Sequence, residues 1–244
     1  MSDSPALEVG VAETLRIMAE IDGWLTPKEG RLLYLLARAC TGRGVIVEIG
    51  AWKGRSTVCL ARGARAGRRP PLFAVDPHTG SPEHRASGGA VDTAGEFAAN
   101  LARAGVGDVV VPLVQTSEDA ARTLREPVEL IFIDGAHEYE AVERDFDLWF
   151  PKIVTGGVMA FHDSSGWPGV RRVVERRLYR SARFRGVRFV DSITAGEKVD
   201  RNTVADRVAS RRALALKQLC ELGSRLPVPP ALRRRGRALL ERLV

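Results

Sequence analysis

Two carboxylates and two histidines stand where this sequence could do chemistry. In FIDGAHEYEAVERDF, residues 132–146, an apolar run ends in Asp134, and His137 follows three positions later. In GGVMAFHD, residues 156–163, a second apolar run ends in the pair His162 and Asp163. Carboxylates closing neighbouring strands can converge on one divalent cation, and Mg2+ takes one or two of them with water and substrate oxygens completing its shell. A neutral imidazole beside such a cation can remove the proton of a hydroxyl. The pattern therefore offers cation-assisted proton abstraction from an alcohol, with Asp134 and Asp163 as ligands and His137 as base. For Asp134 or His137 alone the plainer reading is a helix cap and an exposed first-turn residue. The HD pair on the neighbouring run favours a site. His162 keeps three readings: ligand, substrate contact or satisfied core histidine; as a ligand it would tilt the site toward Mn2+, Fe2+ or Zn2+.

The elements that must position these groups form a rhythm of short apolar run, turn and helical pattern. The runs are VIVEIG, PLFAVD, DVVVPLV, ELIFID and GGVMAFHD, between residues 45 and 163, with amphipathic stretches such as EFAANLARAG between them. Strands apolar on both faces and alternating with helices imply a parallel, doubly wound α/β sheet. Four runs end or nearly end in an acid: Glu48, Asp76, Asp134 and Asp163. In such a sheet these are carboxyl ends of strands, where ligands bind. Upstream, residues 10–40 read as helical, with TPKE at 26–29 supplying a cap Thr, a first-position Pro and a third-position Glu. Downstream, GWPGVRRVVERRLY reads as a helix and FRGVRFVDSITAGEKV as a closing pair of strands turning around Thr194 to Gly196. The expected organisation is N-terminal helices over 1–40, one α/β domain over 41–204 and a basic helical extension over 205–244.

The net charge of +7 is uneven: residues 205–244 hold ten Arg and Lys against three Asp and Glu, so the body is neutral. That distribution argues against a uniformly basic nucleic-acid binder, and no nucleic-acid partner is expected. The tail, interrupted by LPVPP at 226–230, reads first as a peripheral amphipathic helix packing on the domain or a second copy. Weak adsorption to an anionic membrane surface is the next reading. Three cysteines without paired spacing, a polar N-terminus and no membrane-length apolar run point to a reduced, cytoplasmic protein.

EIGAWKGRST, residues 48–57, puts Gly50 and Gly54 between a strand and a helix, so that backbone can approach a ligand and N–H groups near Ser56 can receive an anion. The G-x-G-x-x-G pattern of a nicotinamide-binding oxidoreductase is missing, since Ala51 and Trp52 follow Gly50. A strand-one acid, a glycine turn and a strand-two acid, Asp76, together suggest S-adenosylmethionine binding. VEIGAWKGRSTVCLA, FAVDPHTG, FIDGAHEYEAVERDFDLWFPKI and GGVMAFHDSSGWPGV resemble class I S-adenosylmethionine-dependent methyltransferases, in particular metal-dependent sugar O-methyltransferases acting on macrolide sugars and methylated polysaccharides. The resemblance implies a Rossmann-like, mostly parallel seven-stranded sheet with an antiparallel last strand. It also implies Glu48 and Gly50 along the methionine part of the cofactor, Asp76 on the ribose, and Thr116, Ser117 and Glu118 flanking the adenine. It implies a first metal ligand at Asp134, which also borders the cofactor, a base at His137, and adjacent ligands at His162 and Asp163. The slot of His162 usually carries a carboxylate. The acceptor so implied is a hydroxyl of a saccharide or glycosylated small molecule; a catechol-like hydroxyl or a non-catalytic binding module are the rival expectations. His78 reads as loop surface and His84 as part of a lid-like loop. Trp167 is a candidate sugar-stacking wall, whereas Trp24, Trp52 and Trp149 read as packing, and Tyr139 as core or rim.

Overall fold

The computed structural model describes residues 5–80 and 91–225. Helices α1 (Pro5–Ala19) and α2 (Pro27–Ala39) precede β1 (Val45–Ile49) and α3 (Arg55–Ala66). Next come β2 (Leu72–Val75), α4 (Ala94–Ala104), β3 (Val110–Leu113), α5 (Ser117–Thr123), β4 (Val128–Ile133), α6 (Tyr139–Trp149), β5 (Ile153–Phe161) and α7 (Pro168–Val174). A π-helical turn, Glu175–Tyr179, extends α7 before the β6 (Phe184–Val190) and β7 (Ile193–Lys198) hairpin, and α8 (Val204–Arg225) closes the described chain. The sheet runs β3-β2-β1-β4-β5-β7-β6, parallel through β5, with β7 antiparallel to both β5 and β6. This is the doubly wound sheet implied by the apolar runs, with the Rossmann-like, seven-stranded form and antiparallel last strand that the resemblance implied. Order reverses between β1 and β4, which opens a crevice at the strands' carboxyl ends.

Alternation along the strands explains the two layers. Ile46 of β1 and Leu130 and Phe132 of β4 enter one apolar cluster with α1 to α4; Val47, Ile49, Ile131 and Ile133 enter the other, with residues of α5, α6 and α7. Each face of the central strands is thus buried, as their unbroken hydrophobicity requires. The capping box at the start of α2 forms as expected: Thr26 Oγ1 accepts from Glu29 N, and Glu29 Oε2 accepts from Thr26 N. Between α1 and α2 the helical expectation for 10–40 is broken by a loop at 20–26.

The closing hairpin turns at Asp191 and Ser192, three residues before the expected position, and Thr194 to Gly196 lie inside β7. A Cβ on Gly196 would stand 3.2 Å from Phe184 and Val187 side chains, so this glycine serves close packing rather than a turn. In α8, Ala213 and Leu214 join the second apolar cluster and Lys217 is buried, which seats the described part of the basic extension on the domain. Among the described residues no helix is long and apolar enough to cross a membrane. LPVPP and residues 81–90, with His84, lie outside the described residues.

Candidate active site

One cavity of about 800 Å3 runs along the carboxyl edge of the sheet, from Asp76 and Ser117 at one end to Asp134, His137, His162, Asp163 and Trp167 at the other. Gly50, which lines it, turns the chain out of β1 with φ at +85° and its N–H donated to Val75 O. At the first end, the two oxygens of Asp76 accept the backbone N–H groups of Trp52 and His78, both at 2.7 Å. These bonds hold Trp52 at φ +48°, an unfavourable conformation for a bulky side chain that the surrounding structure must maintain. Ser117 Oγ donates to Asp145 Oδ1 at 2.6 Å and accepts from Trp149 Nε1 at 2.9 Å. Burial pushes the Asp145 carboxyl up to about 6, against the lowering by that hydrogen bond. Asp145 lines the cavity although nothing in the sequence reading singles it out. The available signal is an acid on the same α6 face as Val142, Phe146 and Trp149, all buried.

Ser56 and Gly50 line the cavity, whereas Glu48 and Gly54 do not. Glu48 is fully buried beneath the floor, its Oε2 accepting from Thr57 Oγ1 at 2.5 Å. Burial pushes its carboxyl up to about 8 against the Ser56 and Thr57 hydrogen bonds, with the charges of Asp134 and Asp76 adding to the rise. The folded pKa exceeds the ordinary 4.5, so this group costs nothing below pH 4.5, and stability is lost as pH rises through 8. The substitution Glu48→Gln is therefore expected to stabilise the fold by a few kcal/mol at pH 8, with the gain vanishing near pH 4.5. Urea unfolding at the two pH values measures it, and an equal effect at both would refute the assignment.

At the other end the β4 and β5 termini bring the predicted quartet together. His162 Nδ1 lies 3.0 Å from Asp134 Oδ1 and 3.2 Å from Asp163 Oδ2. Its Nε2 faces Glu29 Oε2 of α2 at 3.5 Å. His137 Nε2 lies 3.2 Å from Asp163 Oδ2, and its ring stacks on Trp167 with centroids 4.3 Å apart and planes 10° from parallel. Burial opposes charge on His162, but the carboxylate of Asp134, with those of Asp163 and Glu29 also facing the ring, raises its pKa well above the usual imidazole range. Burial would raise Asp163, yet hydrogen bonds from His137 and His162 hold it well below the carboxylate range. Glu29 is likewise brought to about 2, despite burial, by His162, Ser192 and Thr26.

The donor set fits a divalent cation. Asp134, His162 and Asp163 each offer one ligand atom, all within 4.8 Å of one another. Neighbouring ligands about 2.1 Å from a small ion stand about 3 Å apart, close to the observed Nδ1–Oδ spacings. Asp163 is held in the left-handed region, φ +55°, by the anchoring of its neighbour Ser164. Ser164 N and Oγ both donate to Ser192 O, and Lys217 Nζ of α8 donates to Ser164 O at 2.7 Å.

Of the tryptophans, Trp149 alone is core; Trp24, Trp52 and Trp167 line the cavity, and Trp24 is 70% exposed. The packing expectation is thus corrected for Trp24 and Trp52. His78 is buried rather than surface, with Nδ1 2.8 Å from Thr93 Oγ1.

Residues 47–164, which carry every one of these strand-end groups, match the family described as a methyltransferase domain. This stretch is a methyltransferase domain. Its fold is also that of solved methyltransferases. The O-methyltransferase NovP aligns with a TM-score of 0.65 at 17% identity, over 80% of this chain and 98% of its own. The O-methyltransferase TomG from Streptomyces achromogenes, in complex with SAM, aligns with a TM-score of 0.53 at 22% identity, over 81% and 91%. An O-methyltransferase from Bacillus cereus, in complex with SAH, gives 0.53 at 21% identity, over 78% and 91%. At these identities the likeness carries the fold.

Proposed function

We propose that this methyltransferase uses S-adenosylmethionine to methylate a hydroxyl of a saccharide or glycosylated small molecule, assisted by a divalent cation. The observation that carries the reading is the single cavity joining Asp76 and Ser117 to the Asp134, His137, His162 and Asp163 group. Cofactor-bound neighbours, TomG with SAM and the Bacillus cereus enzyme with SAH, support the choice of methyl donor. Asp76 keeps lone pairs for the two ribose hydroxyls after accepting its backbone bonds, and Ser117 with Asp145 borders the adenine end. Asp134, His162 and Asp163 would hold the cation, which when bound supplies positive charge where the acceptor oxygen loses its proton.

His137, whose ring faces the cluster with Nε2 3.2 Å from Asp163 Oδ2, takes that proton. Stacking on Trp167 keeps the imidazole plane fixed, so the base need not be reoriented during the transfer. Trp167, stacked on His137, gives the acceptor end an apolar face of the kind that packs against the C–H faces of sugars, and Trp24 and Trp52 line the same cavity. The acceptor O–H bond breaks toward His137 as the new O–CH3 bond forms, and the cofactor leaves as the neutral thioether.

The test is transfer of labelled methyl groups to a panel of saccharide, glycosylated and catechol acceptors, after exhaustive chelation and again after adding Mg2+ or Mn2+. Saccharide methylation lost on chelation and restored by the ion is expected. Undiminished transfer in chelator would remove the cation, and transfer to catechols alone would remove the saccharide.

A further inference from the structure

We propose that Glu29 is a positioning residue for His162, holding the imidazole so that Nδ1 is presented to the cation. The inference rests on the cation assignment made under the proposed function. Glu29 lies 133 positions from His162, on the first turn of α2, and its sequence role is complete with the capping box. A capping carboxylate ordinarily needs only the cap N–H and faces solvent. This one is 1% exposed. Its Oε1 accepts from Ser192 N at 2.8 Å and Ser192 Oγ at 2.6 Å, and its Oε2 accepts from Thr26 N at 2.8 Å.

Three donors thus fix a buried carboxylate with Oε2 3.5 Å from His162 Nε2, an ion-pair distance. Among the described residues Nε2 has no hydrogen-bond partner, so the Glu29 charge is what faces it. A proton on Nε2 is favoured there, which leaves Nδ1, on the Asp134 and Asp163 side, as the nitrogen to be offered to a cation. Histidine ligands of metals commonly donate their other ring N–H to a carboxylate, which fixes the tautomer and ring orientation. Here that carboxylate comes from the N-terminal helices rather than the sheet. The same Ser192 that anchors Glu29 accepts, through its carbonyl, from Ser164 beside Asp163. One turn therefore sets both the ligand loop and the group that orients the ligand.

Mn2+ affinity of the full chain, by calorimetry and by the EPR signal of the free ion, tests the proposal without reference to turnover. Glu29→Gln is expected to weaken Mn2+ binding roughly 10- to 100-fold, and Glu29→Asp, which keeps the charge but shortens the reach, by less. S-adenosylhomocysteine binding should stay unchanged in both. Thr26→Ala removes the Oγ1 cap and its bond to Asp191 Oδ2 but keeps the N–H that Glu29 Oε2 accepts, so it lowers the melting temperature and should weaken Mn2+ binding by less than Glu29→Gln does. If Glu29→Gln proves insoluble, Glu29→Asp decides. Unchanged Mn2+ affinity in the Glu29 variants overturns the proposal while leaving the cation reading standing. An equal loss in Thr26→Ala assigns Glu29 to capping alone, and failure of the unaltered protein to bind Mn2+ overturns both.

Discussion

Replacing His137 by alanine is expected to lower the turnover number by about two to four orders of magnitude, the usual range for loss of a positioned general base. A sugar hydroxyl is a poor nucleophile until its proton leaves. Among the described cavity residues, His137 is the imidazole within reach of the cluster whose ring is held by an aromatic stack rather than enclosed by carboxylates. His162 is 5% exposed, with carboxylates facing both ring nitrogens. Because His137 stands at the end of the cavity away from Asp76, S-adenosylhomocysteine affinity should remain within about twofold, so the loss is read in turnover. Near-normal turnover in His137→Ala would take the base away from this residue. His137→Gln, which keeps some of the stacking area but cannot accept the proton in the same way, should be almost as slow.

The second large effect is structural. Gly50→Ala should cost at least about 3 kcal/mol, a melting decrease of roughly 10 °C for a chain of this size, and should abolish cofactor binding. A Cβ at this position would stand 2.1 Å from Asp134 O and 2.6 Å from its carbonyl carbon, both backbone atoms. The φ of +85° adds strain that no rotamer relieves. Relief requires β1 and β4 to separate where Asp134 N donates to Ile49 O at 2.8 Å, which would also move the first proposed ligand. Thermal melting with cofactor titration checks this. A variant melting within about 2 °C of the unaltered protein, with normal binding, would show that the close approach is not required.

The sheet was legible because strands buried on both faces need apolar residues throughout, and VELIFI and VIVEI leave little else for them to be. The strand-end acids were legible for the same reason, since a carboxylate after such a run stands out. Local pattern misled where burial decides a residue's role. Glu48 looks like Asp134 in sequence, but it sits within β1 rather than after it and is enclosed under the floor. Thr194 and Gly196 have turn composition, yet both lie inside β7, where Gly196 lets the strand pack closely against Phe184 and Val187. Glu29 satisfied a capping rule so fully that nothing local pointed to His162. Its second contact depends on how α2 docks on the sheet, and no spacing in the chain encodes that.

The bond from Lys217 to the Ser164 carbonyl has a consequence for how the site comes into being. Synthesis delivers Asp134 and His137 well before the helix that steadies the neighbouring Asp163, and domains begin folding while the chain is still emerging. Cofactor-end geometry is complete once α6 has packed and Asp145 and Trp149 hold Ser117, whereas the acceptor end waits for α8 to dock. A nascent chain halted before Lys217 should therefore acquire affinity for the methyl donor earlier than it acquires competence to use it.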